Sequence, residues 1–585
     1  MDLDSIQQSV VARWLPLSVA LAVLTVMAIG IHVARTDRAR YRSRAFALLP
    51  VALALIVVAT FAPGESYLRL GTLFILFVAS FGVYGLVGLW QAVPYVTDRR
   101  AALLLAMVVF AVFLAIDPYH RAVQPTQSDE PHYLLISQSL LLDGDLDLAN
   151  DYSGDRYRSF YDGTFSDDIH GIRVGTRVYS IRDLGLPVVA VPFFAIANRL
   201  GVMALVSLVG AALIAQLYLL LRDLEVRPRI ALVATGLVGL LHPVLTYAAE
   251  IEPELFAALL FVIAVRALRH GRGSSLRALA IASACAGLIG IFTTRGWFLS
   301  LGILVALAVF ALVPRLDLGR RVAASVAPFG ALVLLISYVD CRMFPFPAEA
   351  AVQGCYFIPS AGYYLIRDQQ AVLGNGPLAG AAGLLFDRVF GLISHAPLYL
   401  LAFAGLVPLW RRFRAGHAAE VGVLALGSLL LIAYIANVAY WWADGMPPSR
   451  YLVAPLPLLV IAVGLGLESF ADRSTRLAVA VVALLAVPSA IVTALYAILP
   501  SLGYDLAVDI QHTGYPGMLW AYVEEHWGVD PGLLFPSLVR PDGGTALAVA
   551  GWSAIAVAFG VAGWRARPAG PAGAIARSPA SSAID

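Results

Sequence analysis

Apolar runs of membrane-crossing length recur along the whole chain, and they constrain the fold more than any other feature. A helix needs about 20 mainly apolar residues to cross a bilayer. Trp14–His32 is the first such run, and it ends in no small-residue cleavage site, so it reads as an anchor and not as a signal peptide. Hydrophobic residues make up 60% of the 585, and charged residues only 13%, where a soluble domain carries about a quarter. Only helices or closed barrels satisfy backbone groups in lipid. The runs are continuous, not alternating, which excludes a barrel. The expected fold is therefore an all-α polytopic membrane protein with about 15 transmembrane helices.

The expected spans are roughly 14–34, 45–62, 70–92, 101–117, 200–221, 230–248, 252–268, 276–293, 297–313, 322–339, 396–410, 419–440, 451–468, 477–499 and 545–564. All 40 basic residues are arginine. Short arginine-rich loops belong on the cytoplasmic side. With Arg35–Arg44 inside, alternation puts 25 of the 40 arginines in short inner segments. The long polar segments, about 118–183, 340–395 and 500–544, then fall outside, and the carboxylates concentrate there. Segment 184–197 is short, holds two prolines and reads as an interfacial or re-entrant piece. The domain reading is an accessory membrane segment 1–95, a core 96–499, an outer loop 500–544, a last span 545–564 and a disordered tail 565–585, rich in Ala, Pro, Ser and Gly. A net charge of +2 gives no reason to expect nucleic acid.

The first outer segment opens on Asp129-Glu130, followed by Pro131, His132 and Tyr133. Acid and proline also begin helices, but that explains one acid and not two. A carboxylate here can serve as general base toward an acceptor hydroxyl or amine, or hold a divalent metal through oxygen. Asp143, Asp145, Asp147 and Asp151 have a spacing near that of a calcium loop, without its central glycine or distal glutamate. Turn chemistry accounts for them equally well. His170 lies in the same polar segment. Arg182 stands just before the re-entrant piece, where a lipid phosphate would lie, and arginine pairs well with phosphate. Arg173 and Arg177 are weaker candidates for that task.

Glu250, Glu252 and Glu254 crowd one outer turn, read either as solvated or as facing the cavity of Asp129. Arg295, at an outer helix end, is snorkelling or binding an anion. Arg450 lies beside Tyr451 in an outer aromatic turn that contains Trp441 and Trp442. Its position runs against the positive-inside trend and suits a carrier phosphate. Cys341 and Cys355 share one outer loop, where a disulfide is permitted; two free thiols are the alternative. Cys285 reads as a small core residue.

Four stretches together resemble the GT-C superfamily of polyprenyl-phosphate-dependent glycosyltransferases, near the protein O-mannosyltransferase and aminoarabinose transferase branch. They are SDEPHYLLISQSLLLDGDLDLANDY from Ser128, VYSIRDLGLPVVAVPFFAI from Val178, LLFDRVFGLISHAPLYLLAFAGL from Leu384 and WWADGMPPSRYLVAPLPLL from Trp441. The resemblance covers about a third of the chain. It implies a GT-C-like core with large extracytoplasmic loops and transfer of a sugar from a polyprenyl-phosphate donor, with inversion, to a protein, lipid or polysaccharide acceptor. The location implied is the plasma membrane, with the site on the extracytoplasmic face. Asp129 or Glu130 becomes catalytic base or metal ligand. Arg182, Arg450 and Arg295 become phosphate binders, and His132, Tyr133, Glu250, Glu252 and Tyr451 line the cavity. Members usually carry the acidic loop after their first span, whereas here three more spans precede it, and the soluble C-terminal domain of some relatives is missing. No Gly-rich phosphate loop is present, so no nucleotide-driven mechanism is expected. The competing expectations are a transporter or flippase of lipid-linked sugar, which would carry midplane charges and repeats, and a lipid-linked polymer ligase or polymerase.

Overall fold

The computed structural model describes residues 66–165, 170–271, 275–311, 318–344, 376–438, 440–443 and 445–565. The expected spans 14–34 and 45–62, Cys355 and the tail beyond 565 lie outside these residues. Fourteen described helices have thirteen residues or more. They are α1 Ser66–Ala92, α2 Asp98–Val123, α3 Glu130–Leu142, α4 Gly185–Asp223, α5 Pro228–Leu240, α6 Glu254–Gly271, α7 Leu276–Phe292, α8 Trp297–Ala311, α9 Leu318–Met343, α10 Leu400–Arg414, α11 Ala418–Asn437, α12 Leu456–Arg473, α13 Thr475–Ile498 and α14 Thr545–Trp564. Thirteen of the expected spans overlap these helices, α3 being the one helix with no span assigned to it. Eight described helices are long and apolar enough to cross a membrane. The others are too short, as α5 and α7 are, or carry charges near their ends, as α6 and α12 do.

The fold is not wholly helical. Gly171–Val174 (β1) and Arg177–Ser180 (β2) form an antiparallel hairpin, with Ile172 paired to Tyr179. Gly175 at its turn has φ of 64°, which glycine adopts without a Cβ penalty. Two expected spans also differ in detail. The re-entrant piece is the first arm of α4, which bends at Ala197 and Asn198, where φ is −145° and 52°. Ile196 on that arm is 83% exposed, as an interfacial element would be. Span 230–248 is broken: α5 stops at Leu240, and Val244–Ala248 forms a separate turn of helix. Pro243 explains the stop, since the residue before a proline is pushed out of the helical region.

The bundle is closed by glycines. A Cβ on Gly405 of α10 would fall on the Ala462 carbonyl of α12, one on Gly466 of α12 on the Leu401 carbonyl, and one on Gly563 of α14 on the Ala404 carbonyl. Small residues let membrane helices approach closely, where dispersion replaces the missing hydrophobic drive.

Ion pairs sort the loops into two groups. Asp98 pairs with Arg222, Asp223 with Arg266, Glu420 with Arg269, and Glu468 with Arg227 and Arg412. All of these lie where the arginine map expects the inner side. Asp129 pairs with Arg182 and Arg450, Glu130 with Arg199, and Asp530 with Arg388, all where the arginine map expects the outer side.

Gly405→Leu should therefore separate α10 from α12. Overpacking costs about 1–3 kcal/mol, and more against backbone. Thermal unfolding in detergent should fall by several degrees, and an unchanged midpoint would contradict this packing.

Candidate functional site

Asp129 stands at the start of α3, after Ser128, whose φ of 55° is left-handed. Its side chain makes no capping bond, so it is not there merely to begin a helix. One carboxylate oxygen meets Arg182, and the other takes Arg450 Nη2 at 2.9 Å. Burial pushes the Asp129 carboxyl up, but the Arg182 and Arg450 guanidiniums outweigh it and hold the group well below the usual carboxylate range.

Arg450 is the hub. Its Nη2 also meets Glu252 at 2.6 Å, and its Nε meets Glu254 at 2.9 Å. The chain break at Leu241–Pro243 turns the Glu250–Glu254 segment inward. Glu250 and Glu252 are each 1% exposed, so the reading of a solvated turn is set aside. Tyr247 donates to the Pro447 carbonyl, and the Ser449 N–H bonds the Phe390 carbonyl at 3.2 Å. These bonds fix the turn that delivers Arg450.

Glu130 faces the other way. It takes Arg199 at 2.9 Å on one oxygen and the Ile251 N–H at 2.8 Å on the other. Arg199 also donates to the Gln124 carbonyl at 2.7 Å. Tyr504, from the 500–544 segment, donates to Glu250 at 2.6 Å, and His120 lies 3.6 Å from the same carboxyl. Burial, then the Glu130 charge, pushes Glu250 up to about 8. Burial likewise raises Glu252 well above its ordinary value. Each of the three buried guanidiniums, Arg182, Arg199 and Arg450, thus meets at least one carboxyl group.

His170 receives Arg182 at 2.6 Å and stacks on His132 at 4.0 Å. Burial holds His132 well below its ordinary range. Tyr133 is buried beside them. Arg295 lies over the Tyr451 ring at 4.3 Å. Arg173 and Arg177 are both exposed, on opposite faces of the hairpin, and among the described residues neither forms a hydrogen bond or ion pair with this cluster. The acidic run behaves as a turn: Asp145 accepts the Asp147 N–H, Asp147 accepts the Ala149 and Val178 N–H groups, and Asp143 pairs with Arg156. Among the described residues no group of three or more His, Cys, Asp or Glu side chains is disposed to hold a metal. Cys341 is disulfide-bonded and Cys285 is free and buried.

A cavity of about 380 Å³ lies beside Arg182. Its polar end has Ser180, Arg182, Asp183 and Asp340, while Trp297, Phe329, Val333 and Ile336 make its body apolar. From Asp340 to Phe329, α9 descends eleven residues, about 16 Å. Asp183 takes the Thr294 N–H at 3.0 Å and its hydroxyl at 2.6 Å, and burial raises it to about 6.

Sequence reasoning missed Arg199, Tyr504 and His120. Arg199 had a signal: an arginine against an apolar run is costly unless paired. Tyr504 had none.

No protein-family profile and no curated protein matches the chain. Solved structures of the Archaeoglobus fulgidus oligosaccharyltransferase are similar to it. The apo form gives 14% identity and a TM-score of 0.40 over 73% of this chain and 60% of that one. The form tethered to an acceptor peptide gives 15% and 0.38, over 75% and 60%. The complex with an inhibitory peptide and a dolichol-phosphate gives 14% and 0.37, over 73% and 60%. This chain thus spans under two thirds of that protein's length. A superposition this partial assigns no role to any residue here.

Glu250 binds its proton more tightly folded than unfolded. The stability it contributes is therefore fully present below about pH 4.5 and is lost as pH rises through about 8. Glu250→Gln, isosteric with the protonated acid, should flatten that decline in chemical unfolding. An identical pH slope in both proteins would contradict the assignment.

Proposed function

We propose that this chain is a membrane glycosyltransferase. It moves a sugar from a polyprenyl-phosphate carrier to an extracytoplasmic acceptor at the plasma membrane, with inversion and with Asp129 as base. The carrying observation is that Arg182, which lines the polar head of an apolar cavity, shares the buried Asp129 carboxylate with Arg450. Three of the four stretches that resemble this superfamily supply its parts: Asp129 comes from the first, Arg182 from the second and Arg450 from the fourth.

The chemistry follows from the geometry. The carrier's prenyl tail lies along the cavity, and its phosphate takes the Arg182 guanidinium, with Arg295 close behind. Phosphate then competes with Asp129 for Arg182. A carboxylate gripped by two guanidiniums is a weak base, and losing one raises its basicity. Donor binding thus switches on the base. Arg450, braced by Glu252 and Glu254, keeps the carboxylate in place. The acceptor oxygen or nitrogen attacks the anomeric carbon as Asp129 takes its proton. The bond from that carbon to the phosphate oxygen breaks, and the carrier phosphate leaves onto the guanidiniums. Glu130, with both oxygens engaged, is a positioning residue.

Sugar transfer from a panel of polyprenyl-phosphate donors tests this in membranes. Asp129→Asn should lower transfer about a hundredfold or more while the protein still inserts. Glu130→Gln breaks a buried pair and should cost about 3–5 kcal/mol of stability. A chelator arm tests the expectation of a divalent ion at Asp129 or Glu130. Full transfer by Asp129→Asn would overturn the proposal.

A further inference from the structure

The polar head of the cavity holds a carboxylate with no partner among the described residues. Asp340 is 6% exposed, and its side chain lines the cavity. Among the described residues no hydrogen bond or ion pair reaches its carboxyl group, and the one charge acting on it is that of Asp183, another acid. Asp183 is satisfied by Thr294; Asp340 is not. A buried carboxylate without a donor is costly, yet this one is held firmly in place. The Phe344 N–H bonds the Asp340 carbonyl at 2.7 Å, and the next residue, Cys341, is disulfide-bonded. Below Asp340, Ile336, Val333 and Phe329 continue the same cavity wall as apolar surface.

We infer that Asp340 is a specificity residue for the sugar on the carrier, its carboxylate accepting a hydrogen bond from a hydroxyl or ammonium group of that sugar. This rests on the glycosyltransferase reading. The ligand must bring a donor to Asp340. A prenyl tail has none. A phosphate is repelled by Asp340 and drawn to Arg182 a short way off. The group attached to that phosphate is the sugar, and of the carrier's parts it alone presents hydrogen-bond donors. A site built to accept a hydrogen bond discriminates strongly against a ligand that lacks the donor, because its own polar group is then left buried and unpaired.

The test uses the full chain in detergent and three probes: farnesyl phosphate with no sugar, farnesyl phosphate bearing a hexose, and the same hexose with one hydroxyl replaced by an amine. The quantity read is the affinity advantage of each sugar-bearing probe over the bare one. Taking this ratio cancels any general effect of removing a negative charge near the phosphate. Asp340→Asn should shrink the advantage by about tenfold or more, and Asp340→Ser serves if the asparagine variant does not fold. A loss for the plain hexose assigns a hydroxyl partner; a loss confined to the amino sugar assigns an ammonium. Unchanged advantages for both sugars would overturn the inference. Sugar transfer by the wild-type chain is measured in the same preparation. No transfer there overturns the enzyme reading itself, whereas transfer with unchanged advantages overturns only the role of Asp340.

Discussion

Three carboxylates from two segments close on one arginine. Asp129, Glu252 and Glu254 all bond Arg450, and the segments around them are arranged to let them. A buried ion cluster of this kind adds little net stability, but losing one partner leaves a buried charge uncompensated. Each supporting feature therefore serves register. The stop before Pro243 turns the glutamates inward. The left-handed residues Ser128 and Ser449, with φ of 55° and 65°, aim the two ends of the Asp129–Arg450 contact. Tyr504 brings the 500–544 segment onto Glu250.

In the proposed mechanism the same cluster explains how a weak base can be an effective one. In the free protein Asp129 is neutralised by Arg182 and Arg450 and has little appetite for a proton. An anion that takes Arg182 restores that appetite at the moment an acceptor would need it. Burial raises Glu250 and Glu252 above the usual carboxylate range, which eases the crowding of negative charge in the cluster. The apolar cavity ends on Arg182, so in the proposed mechanism the tail site and the chemistry meet there.

Much of this was legible in the sequence. Span length and arginine placement anticipated the helices, because the cost of exposing backbone or charge to lipid is large and local. Asp129, Arg182 and Arg450 stood out as charges lying against the grain of their surroundings. The fate of Glu250, Glu252 and Glu254 was half legible: the sequence left the turn either solvated or facing the cavity of Asp129, and the helix break before it, which sends the turn inward, had no local signal to decide between them. Arg199 was hidden by a bend within α4 that places it against Glu130. The hairpin Gly171–Ser180 was too short to show against its polar surroundings. Neither the Tyr504 contact, made across more than 250 residues, nor the unpaired Asp340 carries a local pattern, since each is defined by what does or does not pack against it.

The central claim is that Asp129 and a carrier phosphate compete for Arg182. The direct measurement is farnesyl phosphate binding to wild type, Asp129→Asn, Arg182→Gln and the double variant. The account expects Asp129→Asn to bind the phosphate more tightly, Arg182→Gln to bind it more weakly, and the gain from Asp129→Asn to vanish once Arg182 is gone. Equal affinity in wild type and Asp129→Asn, with Arg182→Gln still weakened, would show that the two anions do not share the arginine and would contradict the account.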